Sequence, residues 1–199
     1  MSPCQYITYS LNNLKQHTKM FKSIFALIAL VAVSQFTFAQ KAPMVGGAAM
    51  DPKKNIVENA SQANNLTTLV AAVKAADLVE TLSGPGPFTV FAPTNDAFDK
   101  LPKGTVETLL KPENKAKLAD VLTYHVIPGK VTAADLMKTI RGNRGKAKVK
   151  TVAGVTFWAM MNGKNVVLTD EKGNSSTIIA ADINQSNGVV HVIDSVLLH

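Results

Sequence analysis

The sequence predicts an α+β domain, and three observations carry that prediction. Residues 66–140 repeat apolar side chains at helical spacing, and residues beyond 147 break into short β-rich runs between glycine- and asparagine-containing turns. The only cysteine, Cys4, lies upstream of both regions. A chain of this size can stand on one packed core without disulfides.

The elements follow in order. Leu66, Leu69, Val70, Val73, Ala76 and Leu78 predict a helix over 66–82, and Ser83-Gly84-Pro85-Gly86-Pro87 stops it. Phe88 to Ala92 reads as a strand. Thr94 or Asn95 then caps a helix containing Ala97, Phe98 and Leu101. Helical signals continue over 105–110 and 114–122, and Tyr124 to Ile127 adds a short strand. Thr132 and Asp135 stand at capping-box spacing and open a helix over 133–140. Five strands are expected at 148–152, 155–161, 166–169, 177–183 and 189–198. The sum is about seven strands, with the helices in the first two-thirds of one domain spanning 55–199.

What precedes residue 55 reads differently. Residues 1–19 are a polar, patternless extension. From Met20, a candidate start, one basic residue (Lys22) leads an apolar run from Ile24 to Val33 and then Thr37-Phe38-Ala39. That is the layout of a secretory signal peptide over 20–39, cleaved after Ala39 and short in the bacterial manner. The run is shorter than the roughly 20 residues of a membrane span. Residues 40–54, QKAPMVGGAAMDPKK, read as a flexible leader. Cleavage removes Cys4, and with it any thiolate nucleophile or cysteine-based zinc site. It also removes Lys15, Lys19 and Lys22, lowering the formal charge of +7 by three. The expected location is secreted, extracellular or periplasmic.

Two apolar runs, TYHVIP (123–128) and VVHVID (189–194), each enclose a histidine. His191, Asp194 and Ser195 invite a catalytic reading, but on an extended strand His191 and Asp194 point to opposite faces. His191 and Ser195 would lie about 13 Å apart, too far for a triad. His125, His191 and His199 offer no metal-ligand spacing, and Asp170 to Asn174 reads as a turn without a calcium loop's carboxylate series. No catalytic residue, metal or cofactor is therefore expected. Each histidine reads as a buried imidazole that satisfies backbone groups.

Arg141, Arg144, Lys146, Lys148 and Lys150 form the one concentrated charge patch. It reads as a solvated loop entering a lysine-protected edge strand, or as a site for a polyanion such as a sulfated glycan. Nucleic acid is not an expected partner, because no aromatic residues interleave these cations. Phe157, Trp158, Met160 and Met161 read either as core or as the lining of a pocket for a small apolar ligand, pigment or lipid. Sequons stand at Asn59, Asn65, Asn174 and Asn184.

Three separated segments resemble the signatures of one family. Thr89-Val-Phe-Ala-Pro-Thr-Asn-Asp-Ala-Phe98, Tyr124-His-Val-Ile-Pro-Gly129 and Asn187-Gly-Val-Val-His-Val-Ile-Asp-Ser-Val-Leu-Leu198 are similar, in order and spacing, to the motifs of fasciclin (FAS1) domains. The resemblance implies a β-sandwich-like wedge flanked by helices. It also implies a non-enzymatic extracellular role, binding a cell-surface or matrix protein or polysaccharide. His199 departs from the family, where proline is common. By resemblance, His125 would hold the loop Thr94-Asn95-Asp96, and Tyr124, His125, Asp182 and Ile183 match positions associated with adhesion. Tyr124 and Ile183 also suit core positions, Asp182 a strand end, and His125 the structural role given above. Neither the oligomeric state nor the partner's identity is written in the sequence.

Overall fold

The computed structural model describes residues 42–102 and 104–198. The expected signal peptide, the extension before it and His199 lie outside the described residues.

The packed unit begins earlier than expected. β1 (Met44–Val45) and β2 (Ala48–Ala49) form a hairpin, and Val45 and Met50 are buried. The leader reading is corrected over these residues. Composition alone resembles a linker, but Gly46 takes a φ of 56° in the turn. It also sits so close to the chain at Asn65 that a Cβ would meet Asn65 Oδ1 at 2.2 Å. Only glycine meets both demands.

α1 (Ile56–Ala60) starts at a capping box between Asn55 and Glu58. The single helix expected over 66–82 is two, α2 (Thr67–Ala75) and α3 (Val79–Ser83). Asp77 adopts a φ of 61° between them. The Leu78 N–H donates to the Val73 carbonyl and the Asp77 N–H to that of Lys74, the paired bonds of a Schellman motif. Aspartate tolerates that left-handed position better than most residues, so the apolar period continues while the helix axis does not.

β3 (Phe88–Pro93) is followed by α4 (Asn95–Asp99), which Thr94 caps by accepting from the Ala97 N–H. α5 (Thr105–Leu109), a 3₁₀ turn (Pro112–Asn114) and α6 (Lys115–Tyr124) come next. TYHVIP is not one strand: Tyr124 ends α6, His125 caps it, and β4 is only Val126–Pro128. α7 (Ala133–Gly142) opens with the expected Thr132–Asp135 capping box. The remaining strands are β5 (Lys146–Lys150), β6 (Thr156–Asn162), β7 (Asn165–Thr169), β8 (Ser175–Gln185) and β9 (Gly188–Ile193). β9 stops at Ile193, short of the expected 198.

Seven strands make one sheet in the order β4-β3-β9-β8-β7-β6-β5, antiparallel except that β3 and β9 run parallel. β8 is long enough to serve both halves. Its residues 175–177 pair with β7, and from Ile178 onward it pairs with β9 through two register shifts. The shifts bend the strand. Two cores result. Val90, Ala92, Val190 and Val192 face α1, α2 and α6. Phe91 and Ile193, on the opposite face, meet Ala147, Phe157, Ala159 and Leu168 from the β5–β7 half, with Leu136 and Ile140 of α7. This is the α+β arrangement expected, with the helices and the two sheet halves as its layers.

Candidate functional site

Both signature histidines lie inside the fold, and each is bonded through both ring nitrogens. His125 is 3% exposed. Its Nδ1 lies 2.7 Å from the Val121 carbonyl, and its Nε2 accepts from the Leu197 N–H at 3.1 Å. A neutral ring with its hydrogen on Nδ1 satisfies both. His125 therefore ties the end of α6 to the C-terminal segment. Sequence proximity of motifs could not reveal this, because Leu197 is 72 positions away. His125→Ala leaves the Leu197 N–H unpaired and lowers stability by about 1–3 kcal/mol. An unchanged thermal midpoint would contradict that result.

The Thr94 loop has bonds to the last strand and to the segment before α2. The Thr94 N–H donates to the Ile193 carbonyl, and Asn95 bonds Asn64, Thr67 and Thr68 through its side chain. Asp96 is exposed in the first turn of α4.

His191 is fully buried and stacks on Phe91, its register partner in β3, at 5.5 Å. Nδ1 accepts from the Asp182 N–H at 3.2 Å, and Nε2 lies 3.0 Å from the Val131 carbonyl, to which it donates. Burial pushes its pKa below the ordinary value, outweighing the Val131 bond and the Asp182 charge that raise it. Thr89 completes this joint, which sequence reasoning missed. Its hydroxyl donates to the Gly129 carbonyl and accepts from the Val131 N–H, so β3 and β9 together grip the loop that leads into α7. A lone threonine inside the apolar run Phe88 to Ala92 is the sequence signal that could have marked it, and the structure finds it fully buried.

The four adhesion-associated positions do not form one surface. Tyr124 and Ile183 are buried with His125, and only Asp182 is exposed. Tyr124 packs edge-on against Phe157, and its hydroxyl reaches the Thr156 carbonyl at 3.4 Å. Burial, helped by Asp170 and Glu171, pushes its pKa up to about 12. Asp182 sits within the β8 irregularity at a φ of 57°, and its Oδ1 accepts from the Ala133 N–H at the start of α7.

Asp194 and Ser195 are engaged apart from His191. Asp194 accepts from the Thr177 N–H, the Ser195 N–H donates to Ser176 Oγ, and Lys100 Nζ lies 3.4 Å from Ser195 Oγ. Asn187 and Gly188 explain the start of the last signature. Asn187 bonds the Ile56 N–H and the Leu82 and Gly84 carbonyls, tying α1 to α3. Gly188 packs so tightly on β3 that a Cβ would meet the Phe88 carbonyl oxygen at 2.0 Å.

Phe157 and Met161 face the inner core, whereas Trp158 and Met160 alternate to the other face, so the four line no common pocket. An apolar cavity of about 30 Å³ lies between Ile56, Leu69, Val73, Leu82, Val90 and Leu122. It has room for about one or two waters rather than a pigment or lipid. Among the described residues, no cluster of three metal-ligating side chains occurs. Of the sequons, Asn59 is buried against Asp51 and Gln185, while Asn174 and Asn184 are exposed.

Arg141, Arg144, Lys146, Lys148 and Lys150 are all exposed. Arg144 sits at a φ of 56° in the turn that leads into β5, the edge strand. The Nζ atoms of Lys146 and Lys148 stand 4.2 and 5.7 Å from the centroid of the Trp158 ring.

The two histidines thus brace the interior, while Lys146, Lys148 and Lys150 line the edge strand of the sheet. The chain belongs to the fasciclin domain family, whose model matches residues 64–199. Protein sll1483 of Synechocystis sp. is 50% identical over 175 residues, 87% of this chain and 90% of that protein. Transforming growth factor-beta-induced protein ig-h3 of Sus scrofa is 37% identical over 139 residues, 67% of this chain but 18% of that protein. The solved FAS1 domain pair of the insect cell adhesion molecule Fasciclin I superposes with a TM-score of 0.64 at 17% identity. The match covers 73% of this chain and 51% of that one, and is a likeness of fold.

Proposed function

We propose that the protein is an exported, non-enzymatic adhesion-type module that holds a cell-surface or matrix protein or polysaccharide through its exterior. The observation that carries this reading is the engagement of its chemically capable side chains. His125 and His191 are buried and bonded to backbone groups at both nitrogens, and neither is paired with Asp194 or Ser195. Family membership supports the same reading, as does the likeness to a protein described as a cell adhesion molecule. Among the described residues, no helix is long and apolar enough to cross a membrane.

Two measurements test the proposal. A pull-down from the native cell surface is expected to retain the purified protein and return one class of surface protein or polymer, and no retention would overturn the adhesion half. For the export half, intact mass of the released protein is expected to place its first residue at Gln40. A released product that keeps residues 20–39 would contradict it.

A further inference from the structure

The β5–β7 half of the sheet has two unlike faces. Ala147, Phe157, Ala159 and Leu168 point inward beneath α7. By register, Lys146 lies opposite Met160, and Lys148 opposite Trp158. Val167 lies opposite Met160 on the other side of β6. Lys146, Lys148, Trp158, Met160 and Val167 thus share the outer face, and Lys150 joins them by strand alternation. Trp158, Met160 and Val167 are only partly buried and pack into neither core.

Charge is as uneven as shape. Residues 136–169 contain seven cations and no Asp or Glu, whereas acids outnumber cations in the rest of the chain from Gln40. Lys100, Lys111 and Lys115 have carboxylate partners, but among the described residues no ion pair engages Lys146, Lys148 or Lys150. Two of these ammonium groups converge on one indole, whose π face attracts cations and offsets their mutual repulsion. The ring holds them in place at the surface, so less side-chain freedom remains to be lost on binding.

We propose that this face docks a linear acidic polysaccharide. Lys146, Lys148 and Lys150 pair with its successive carboxylate or sulfate groups, and Trp158 positions the first two lysines. The three lysines start from alternate positions of one edge strand, with Cα atoms roughly 7 Å apart, so together they present a row of cations that suits a chain of anions better than a single one. The other polyanions fit less well. Trp158 lies beneath lysines instead of projecting as a wedge for a bilayer, and a lysine-lined edge opposes addition of a peptide strand. Nucleic acid would find a single aromatic ring on this face, Trp158, and no row on which bases could stack. The proposal deepens the adhesion reading and rests on it.

The test measures affinity of the purified protein for heparin and for polygalacturonate, with neutral dextran, poly-glutamate and phosphatidylglycerol vesicles as comparisons. The wild type is expected to bind one or both acidic polysaccharides in a salt-sensitive way, and to bind the comparisons at least tenfold more weakly. Replacing Lys146, Lys148 and Lys150 with Gln should weaken binding roughly tenfold or more, while replacing the exposed Lys53, Lys74 and Lys117 should change it less than about twofold. Trp158→Leu should weaken binding while circular dichroism and the melting midpoint of each lysine variant stay at the wild-type value. Equal losses in the two lysine triples would reduce the effect to net charge and overturn the site. Vesicle or poly-glutamate binding as tight as polysaccharide binding would also overturn it. Cell-surface retention that survives the Lys146, Lys148 and Lys150 triple sinks this face and leaves the adhesion module standing. Failure of the wild type to be retained sinks the module itself.

Discussion

Phe91→Ala lowers the unfolding free energy by about 3–5 kcal/mol, among the largest single-residue losses expected in this domain. The side chain is fully buried at the point where the two halves of the sheet meet. Its ring stands edge-on to Phe157 at 5.4 Å and stacks on His191 at 5.5 Å. Truncation removes both ring contacts and leaves a cavity in the cluster that holds the fully buried Tyr124, Ile193 and Leu197, which are fixed by α6, by β9 and by the Leu197–His125 bond and cannot collapse freely. Denaturant unfolding measures the loss. Ile179→Ala serves as the control: Ile179 is 57% exposed, so its truncation should shift stability by no more than about 0.5 kcal/mol. A Phe91 loss as small as the control's would mean that the two halves do not share a core.

His191→Ala is expected to lower stability by roughly 2–5 kcal/mol, since the Asp182 N–H and the Val131 carbonyl each lose a buried partner. The wild type should also show a pH dependence that this variant lacks in part. Burial holds the folded-state pKa of His191 below its ordinary 6.5, so the unfolded chain takes up a proton first as pH falls. The stability carried by the neutral ring is complete above about pH 6.5, and it is lost as pH drops toward the lower folded value. Asp77, bonded to Lys115, and Asp135, bonded to Thr132, are held below 3.8, so their losses come at lower pH. Melts at about pH 7.5 and about pH 5 therefore isolate the histidine window. A variant whose midpoint falls as steeply as the wild type's over that interval would contradict the assignment.

Much of this fold was legible because its signals are local. The Thr132–Asp135 capping box, the Thr94 cap and the turns that separate β5 to β9 each depend on side chains a few positions apart. Where the reading failed, the deciding contact was distant or depended on backbone angle. Asp77 split a helix whose apolar period runs on without a break. Gly46 turned an apparent linker into a hairpin because of how closely it approaches Asn65. Nothing in FTVFAP or GVVHVI announces that β3 and β9 lie parallel, except that both are unbroken buried runs, as strands covered on both faces tend to be.

The site was legible to a lesser degree. Sequence patterning found both histidines and read them as structural, but it could not find their partners, because Val131 and Leu197 lie 60 and 72 positions away. The basic run was plain in the sequence. Its meeting with Trp158 was not, since that depends on the β5–β6 register pairing Lys148 with Trp158.

The most direct test of the account is retention on the native cell surface by His125→Ala and His191→Ala, assayed below the melting midpoint of each. The account predicts lowered midpoints with retention equal to the wild type, because these rings brace the interior and touch no partner. A variant that keeps its midpoint and loses retention would place the histidines in the binding surface and contradict it.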